Sequence, residues 1–196
     1  MSKIVYIPGF VLLALLSCCT HTLDRNEYVQ WVRDYDNGLH VSKWIGEYDL
    51  DVQYQPAQYV RLQKMGTGSY QGEPVGENGG GALQYYLLTL GLHGKNTDFI
   101  SYGVSDAAEK QRKLYYFSYR FQDEITLEEG DEKLPCVLYH FEKPVDLKGS
   151  RTILLGFEQR TNKPETATLK IDSDQFGSLP VRIKISKANI PHVALR

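Results

Sequence analysis

The sequence predicts a mainly β domain: an antiparallel β-sandwich of about seven to nine strands, with an N-terminal helix and one or two short helices. Three observations predict it. Tyr48, Leu50, Val52 and Tyr54 alternate with Glu47, Asp49, Asp51 and Gln53, the period-two pattern of a strand with one dry and one wet face. Beyond residue 125, short apolar runs recur between turn residues such as Pro144, Gly149, Asn162, Pro164, Gly177 and Pro180, a succession that suits a sandwich or barrel. Tyrosine is abundant, at 14 residues against 2 methionines, and tyrosine favours pleated, half-wet surfaces.

The elements follow in chain order. Residues 1–17, MSKIVYIPGFVLLALLS, join a basic Lys3 to an apolar run from Ile4 to Leu16. That run is too short for a permanent bilayer-spanning helix and has the length of a signal-peptide core. Residues 18–23 read as a tether, and 24–196 as one domain. A helix is predicted over 24–36: Asp24 caps it, Glu27 completes a capping-box pair, and Tyr28, Trp31, Val32, Tyr35 and Leu39 fall on one stripe. Asn37-Gly38 supplies a left-handed stop.

Strands are predicted at Val41 to Ile45 and Tyr48 to Tyr54, and Pro56 opens a short helix that ends at Gly66. Residues 66–82 form a Gly-rich loop. Leu83 to His93 reads as a central strand buried on both faces. Ser105 caps a helical turn that ends near Leu114. Tyr115, Phe117, Tyr119 and Phe121 then alternate as a strand, which Ile125 to Leu127 continues. Glu128 to Lys133 reads as an acidic turn. Further strands are expected at Cys136 to Glu142, Arg151 to Glu158, Ala167 to Asp172 and Val181 to Ser186.

The leader ends in Leu15-Leu16-Ser17-Cys18, which resembles the lipobox of bacterial lipoproteins: an apolar residue three before the cysteine and a small residue just before it. Leu16, at the middle position, is bulkier than that pattern usually carries. The resemblance covers the first 18 residues and implies a diacylglyceryl group on the Cys18 thiol and cleavage before Cys18. Acyl chains contribute about 0.8 kcal/mol per buried CH₂, so two or three of them hold a domain on a membrane. Cys19 is not an aspartate, which in this family implies the outer membrane rather than retention at the inner one. The segment from Asp174-Gln175-Phe176-Gly177 to Ile190-Pro191-His192 is similar to the last hairpins of small envelope lipoproteins, and it implies no residue roles.

Tests for chemistry yield little. The net charge of −2 does not imply a nucleic-acid partner, which would need a clustered basic face, and none is expected. The glycines at 66, 68 and 72 do not match a dinucleotide fingerprint, and no Gly-Lys-Ser/Thr follows Gly76 to Gly81. The five histidines are scattered without ligand spacing, so no metal or cofactor is expected. Glu128, Glu129, Asp131 and Glu132, and separately Asp172 to Gly177, read as solvated turns rather than calcium loops. Cys136 and His140 would lie about 13 Å apart along a strand, too far for a thiolate–imidazole pair. Cys136 reads as a small buried hydrophobe, with a disulfide to Cys19 as the minor alternative.

Three function classes remain. The favoured one is a lipid-anchored, non-catalytic envelope protein that serves as a component or assembly partner of a larger surface or secretion structure. The second is a ligand-binding module, for a glycan or peptide, with a Tyr-lined groove beneath the 66–82 loop. The third is an envelope hydrolase. Besides Cys18 for lipidation, the candidate partner or ligand surface comprises Tyr28, Trp31, Tyr35, Tyr70, Tyr85 and Tyr116, since wet aromatics anchor interfaces and stack on sugars.

Overall fold

The computed structural model describes residues 22–66, 83–142, 149–162 and 164–194. The leader, Cys18, Cys19, Tyr70 and all but the first residue of the 66–82 loop lie outside the described residues. Among the described residues, no helix is long and apolar enough to cross a membrane.

The domain is mainly β, as the alternation predicts. Strands β1 (Thr22–Leu23), β2 (His40–Ile45), β3 (Tyr48–Gln55), β4 (Leu83–Leu92), β5 (Ile125–Glu129) and β6 (Glu132–Pro135) are followed by β7 (Leu138–Phe141), β8 (Arg151–Glu158), β9 (Thr166–Ile171), β10 (Val181–Ser186) and β11 (His192–Val193). One antiparallel sheet has the order β2-β3-β4-β8-β7 and a second the order β10-β9-β5-β6. β1 and β11 form a small parallel pair that ties the two ends of the domain together.

The registers align the apolar positions. In the larger sheet Leu50 pairs with Leu90, Val52 with Leu88, and Leu88 with Ile153. In the smaller sheet Ile125 pairs with Ile171, Leu127 with Leu169, and Leu169 with Ile183. The inner faces of both sheets belong to one buried cluster. Period-two strands that bury one face each against the other are the elementary reason for a sandwich.

A second, smaller core lies under α1 (Arg25–Arg33) and α2 (Ala57–Gly66), where Tyr28, Val32, Leu39, Tyr59 and Leu62 are buried together. The predicted capping box is present: Asp24 Oδ1 accepts from Glu27 N at 2.9 Å, and Glu27 Oε2 accepts from Asp24 N at 3.1 Å. Gly38 adopts the left-handed conformation, φ 78°, that stops the chain after a short 3₁₀ turn. Gln53 donates to Val32 O at 3.1 Å, and Arg33 Nε donates to Tyr59 OH at 2.9 Å. Gln53 and Gln55 are therefore buried on the face that the sequence marks as wet, because polar side chains can be covered where they find partners.

Four other expectations are corrected. β4 is central in its sheet but alternates between buried and half-buried residues instead of being buried on both faces. Tyr115 to Phe121 is helical: α3 (Ala107–Tyr115) runs into a π turn at Tyr116–Arg120 and a 3₁₀ turn at Phe121–Glu124. Phe117 and Phe121 are both fully buried, while Tyr115 and Tyr119 are exposed, so aromatic residues two apart also satisfy a four-residue helical spacing. The cap of α3 is Asp106, one residue beyond Ser105, and Ser105 instead donates to Glu109. Finally, the strand expected at Cys136 to Glu142 is split. Pro135 ends β6, and the chain crosses to the other sheet, where Val137 N donates to Gly156 O at 2.9 Å. Pro135 is tolerated there because β6 is an edge strand.

Candidate functional site

Two aromatic–imidazole stacks stand on the outward face of β2 and β3. The antiparallel register sets Trp44 opposite Asp49 and Ser42 opposite Asp51. The Tyr35 ring lies on the His40 ring with centroids 3.9 Å apart, and the Trp44 ring lies on His93 at 4.1 Å. A carboxylate holds each imidazole. His40 Nε2 is 2.6 Å from Asp51, and His93 Nδ1 is 2.9 Å from Asp49.

His40 Nδ1 also lies 2.7 Å from the Arg33 carbonyl. Both ring nitrogens thus have an oxygen within hydrogen-bond distance. Asp51 further accepts from the Tyr35 hydroxyl at 2.7 Å. Burial first, and then the hydrogen bond to Asp51 and its charge, push the Tyr35 phenol up to about 12. Even so, Tyr35 is 53% and Trp44 63% exposed. The two carboxylates also border a shallow groove of about 300 Å³, lined by Asp49, Asp51, Thr89, Gly91, Lys95 and Ser150 among others, that the stacked rings themselves do not line.

The residues singled out in the sequence are dispersed. Tyr28 is completely buried in the small helical core, so it is not available as surface. Trp31 is half-buried against the same core. Tyr35 is exposed and joins the first stack. Tyr85 is half-buried on the outward face of β4, opposite Gly156. Tyr116 is half-buried, with its hydroxyl bonded to Ser173 at 2.6 Å and to Glu124. Burial, followed by the bond to Glu124, raises its phenol well above the ordinary value. Tyr70 and Cys18 lie outside the described residues.

Trp44 was missed, although the sequence carries a signal for it. In β2 Val41 and Ile45 pack on the core, so the intervening Trp44 is an apolar residue on the polar phase of its strand.

The solvated acidic turn expected at 128–133 is instead the paired ends of β5 and β6 around Gly130-Asp131, and its acidic side chains point in different directions, with Glu129 buried. Glu128 pairs with Arg182, Glu129 with Lys187, and Glu132 with Arg160. Among the described residues, no group of three or more His, Cys, Asp or Glu side chains is placed to hold a metal ion. Cys136 is a buried free thiol that donates to Leu138 O at 3.1 Å. Burial pushes it up to about 11.

No family model matches the chain, and no curated protein matches it. Among solved structures it is similar to a protein of unknown function from Burkholderia pseudomallei, at 12% identity, covering 83% of this chain and 90% of that one, with a TM-score of 0.38. A likeness at that level carries no argument about fold or function.

Proposed function

We propose that this protein is a lipid-anchored, non-catalytic component of a bacterial envelope that docks onto a partner protein of a larger assembly through the outward face of β2. The observation that carries the proposal is the Trp44–His93 stack. A large aromatic ring is held in place by an imidazole that is itself clamped to Asp49, yet 63% of the tryptophan remains open to solvent. Trp, Tyr and Arg dominate the energetics of interfaces, and a side chain ordered in advance loses little freedom on binding. The Tyr35–His40 stack supplies a second anchor about 13 Å along the same strand, from four residues at roughly 3.3 Å each.

The lipobox resemblance supplies the membrane attachment. Thr22 and Leu23, expected as part of a tether, belong to β1, so only residues 19–21 separate Cys18 from the domain, and a lipid on Cys18 would hold the domain close to the membrane that carries the partner.

The test is cross-linking in intact cells with a photo-reactive residue at position 42, between the two anchors. The expected result is a stoichiometric adduct with an envelope protein, which weakens at least about tenfold when Trp44→Ala is introduced, the loss that one interface anchor accounts for. An adduct pattern unchanged by Trp44→Ala and Tyr35→Ala would remove this face from consideration. Membrane attachment is tested separately: Cys18→Ala should abolish incorporation of labelled fatty acid, and continued labelling refutes the anchor.

A further inference from the structure

One end of the sandwich is open, and its mouth is lined by charged and polar side chains that the proposal above does not use. A pocket of about 130 Å³ lies there, bounded by Tyr54, Gln84, Glu129, Gln159, Glu165 and Lys187, among others. Glu129 ends β5 and is only 5% exposed. One of its carboxylate oxygens takes the Lys187 ammonium, and the other, Oε2, has no hydrogen-bond partner among the described residues. Lys187 follows β10. Its ammonium also reaches Gln84 Oε1 on β4 at 3.4 Å and stands 5.6 Å from the centre of the Tyr54 ring. Gln84 is fixed in turn by the Tyr86 hydroxyl, which donates to it at 3.0 Å. An ammonium carries three donors, and two of those of Lys187 have acceptors among the described residues, on Gln84 and Glu129.

A buried carboxylate oxygen without a donor is costly, and the surrounding charges narrow what can supply one. A cationic amine is repelled by Lys187 and by Arg160, and an anion by Glu129 and Glu165, all four of which line the pocket. A neutral group that donates at one position and accepts at the next matches both sides of the ion pair. The volume admits several water-sized groups, at roughly 10–15 Å³ each, which is the edge of a sugar ring rather than a whole disaccharide.

We propose that this pocket binds a saccharide through two vicinal hydroxyls, one donating to Glu129 Oε2 and its neighbour accepting from Lys187 Nζ, with the C–H face of the ring against Tyr54. The inference stands apart from the docking face on β2, and each can fail without the other.

The experiment uses the full chain in detergent micelles, with tyrosine replaced by fluorotyrosine. Methyl glucoside, methyl mannoside and a 2,3-dideoxy methyl glycoside are titrated in turn and followed by saturation-transfer and fluorine NMR. The resonance of Tyr54 is assigned by its loss in Tyr54→Phe. The expected result is saturable transfer from at least one of the intact glycosides, a matching shift of the Tyr54 resonance, and at least about tenfold weaker binding of the dideoxy compound. Glu129→Gln should weaken binding by a similar factor while its melting curve stays cooperative. If that variant does not fold, the dideoxy comparison and the Tyr54 shift decide the matter. No saturable transfer, equal binding of the dideoxy glycoside, or binding that leaves Tyr54 unmoved overturns the proposal.

Discussion

Replacing Lys187 by methionine tests whether the ion pair at the mouth of the sandwich is a buried one. The side chains of Lys187 and Glu129 are 10% and 2% exposed. Methionine preserves most of the aliphatic stem but removes the ammonium. Glu129 then keeps a buried carboxylate whose Oε2 already has no partner among the described residues, so both oxygens are left without a donor.

Removing one partner of a buried pair costs about 3–5 kcal/mol. At roughly 2–4 °C per kcal/mol for a domain of this size, the midpoint should fall by about 6–20 °C. Adding Glu129→Met should recover most of that loss, because a buried pair replaced as a whole by apolar residues of similar volume is often neutral or stabilising. Thermal melts of the wild type, both single variants and the double variant at one pH give the coupling directly. A Lys187→Met loss below about 1 kcal/mol, the range of solvated pairs, would refute the reasoning.

Phe117→Ala should cost about 3–5 kcal/mol in a denaturant titration, since Phe117 is fully buried and packs edge-on against Phe99 and Phe121 at centroid distances of 4.9 and 5.1 Å. A value near that of a surface change would show that the π turn is not part of the core. Asp98 should contribute to acid sensitivity. Burial alone would raise its carboxyl, but the hydrogen bond from Ser101 and the charges of Arg151 and Lys110 outweigh it and hold it below the usual range. A depressed carboxylate stabilises the fold above its unfolded value of about 3.9, and that contribution is lost as pH falls through the lower folded value. Asp98→Asn should therefore flatten the dependence of the midpoint on pH below about pH 4, and an unchanged slope argues against it. The Cys136 thiol, pushed up to about 11 by burial, should resist alkylation at pH 8 until the domain unfolds, as read by mass spectrometry of its peptide. Labelling at the rate of an exposed thiol contradicts its placement.

The regular parts of the fold are legible because their patterns admit one period. The alternation at Tyr48 to Tyr54, the runs at Arg151 to Glu158 and Val181 to Ser186, and the Asp24–Glu27 capping box all recur where the residues place them. Tyr115 to Phe121 is misread because aromatic residues at 115, 116, 117, 119 and 121 fit both strand and helix. The buried Phe117–Phe121 pair, together with the capped helix already under way from Asp106, decides for the helix. Of the tyrosines and tryptophan chosen as a surface, Tyr35 joins an outward stack while Tyr28 is fully buried, because tyrosine is as useful inside a core as on a surface.

The sequence by itself determines the mainly β class and the capped first helix of the domain. These depend on local spacing, capping chemistry and composition, which operate within about ten residues. Tertiary structure alone decides which acids are solvated and which are buried. Glu128 and Glu129 are neighbours in one acidic run, yet the pleat of β5 turns Glu129 inward to Lys187, 58 residues away. It also decides the pairing of Trp44 with His93, which the β2-β3-β4 registers bring together across the sheet, and register is a property of the assembled sheet.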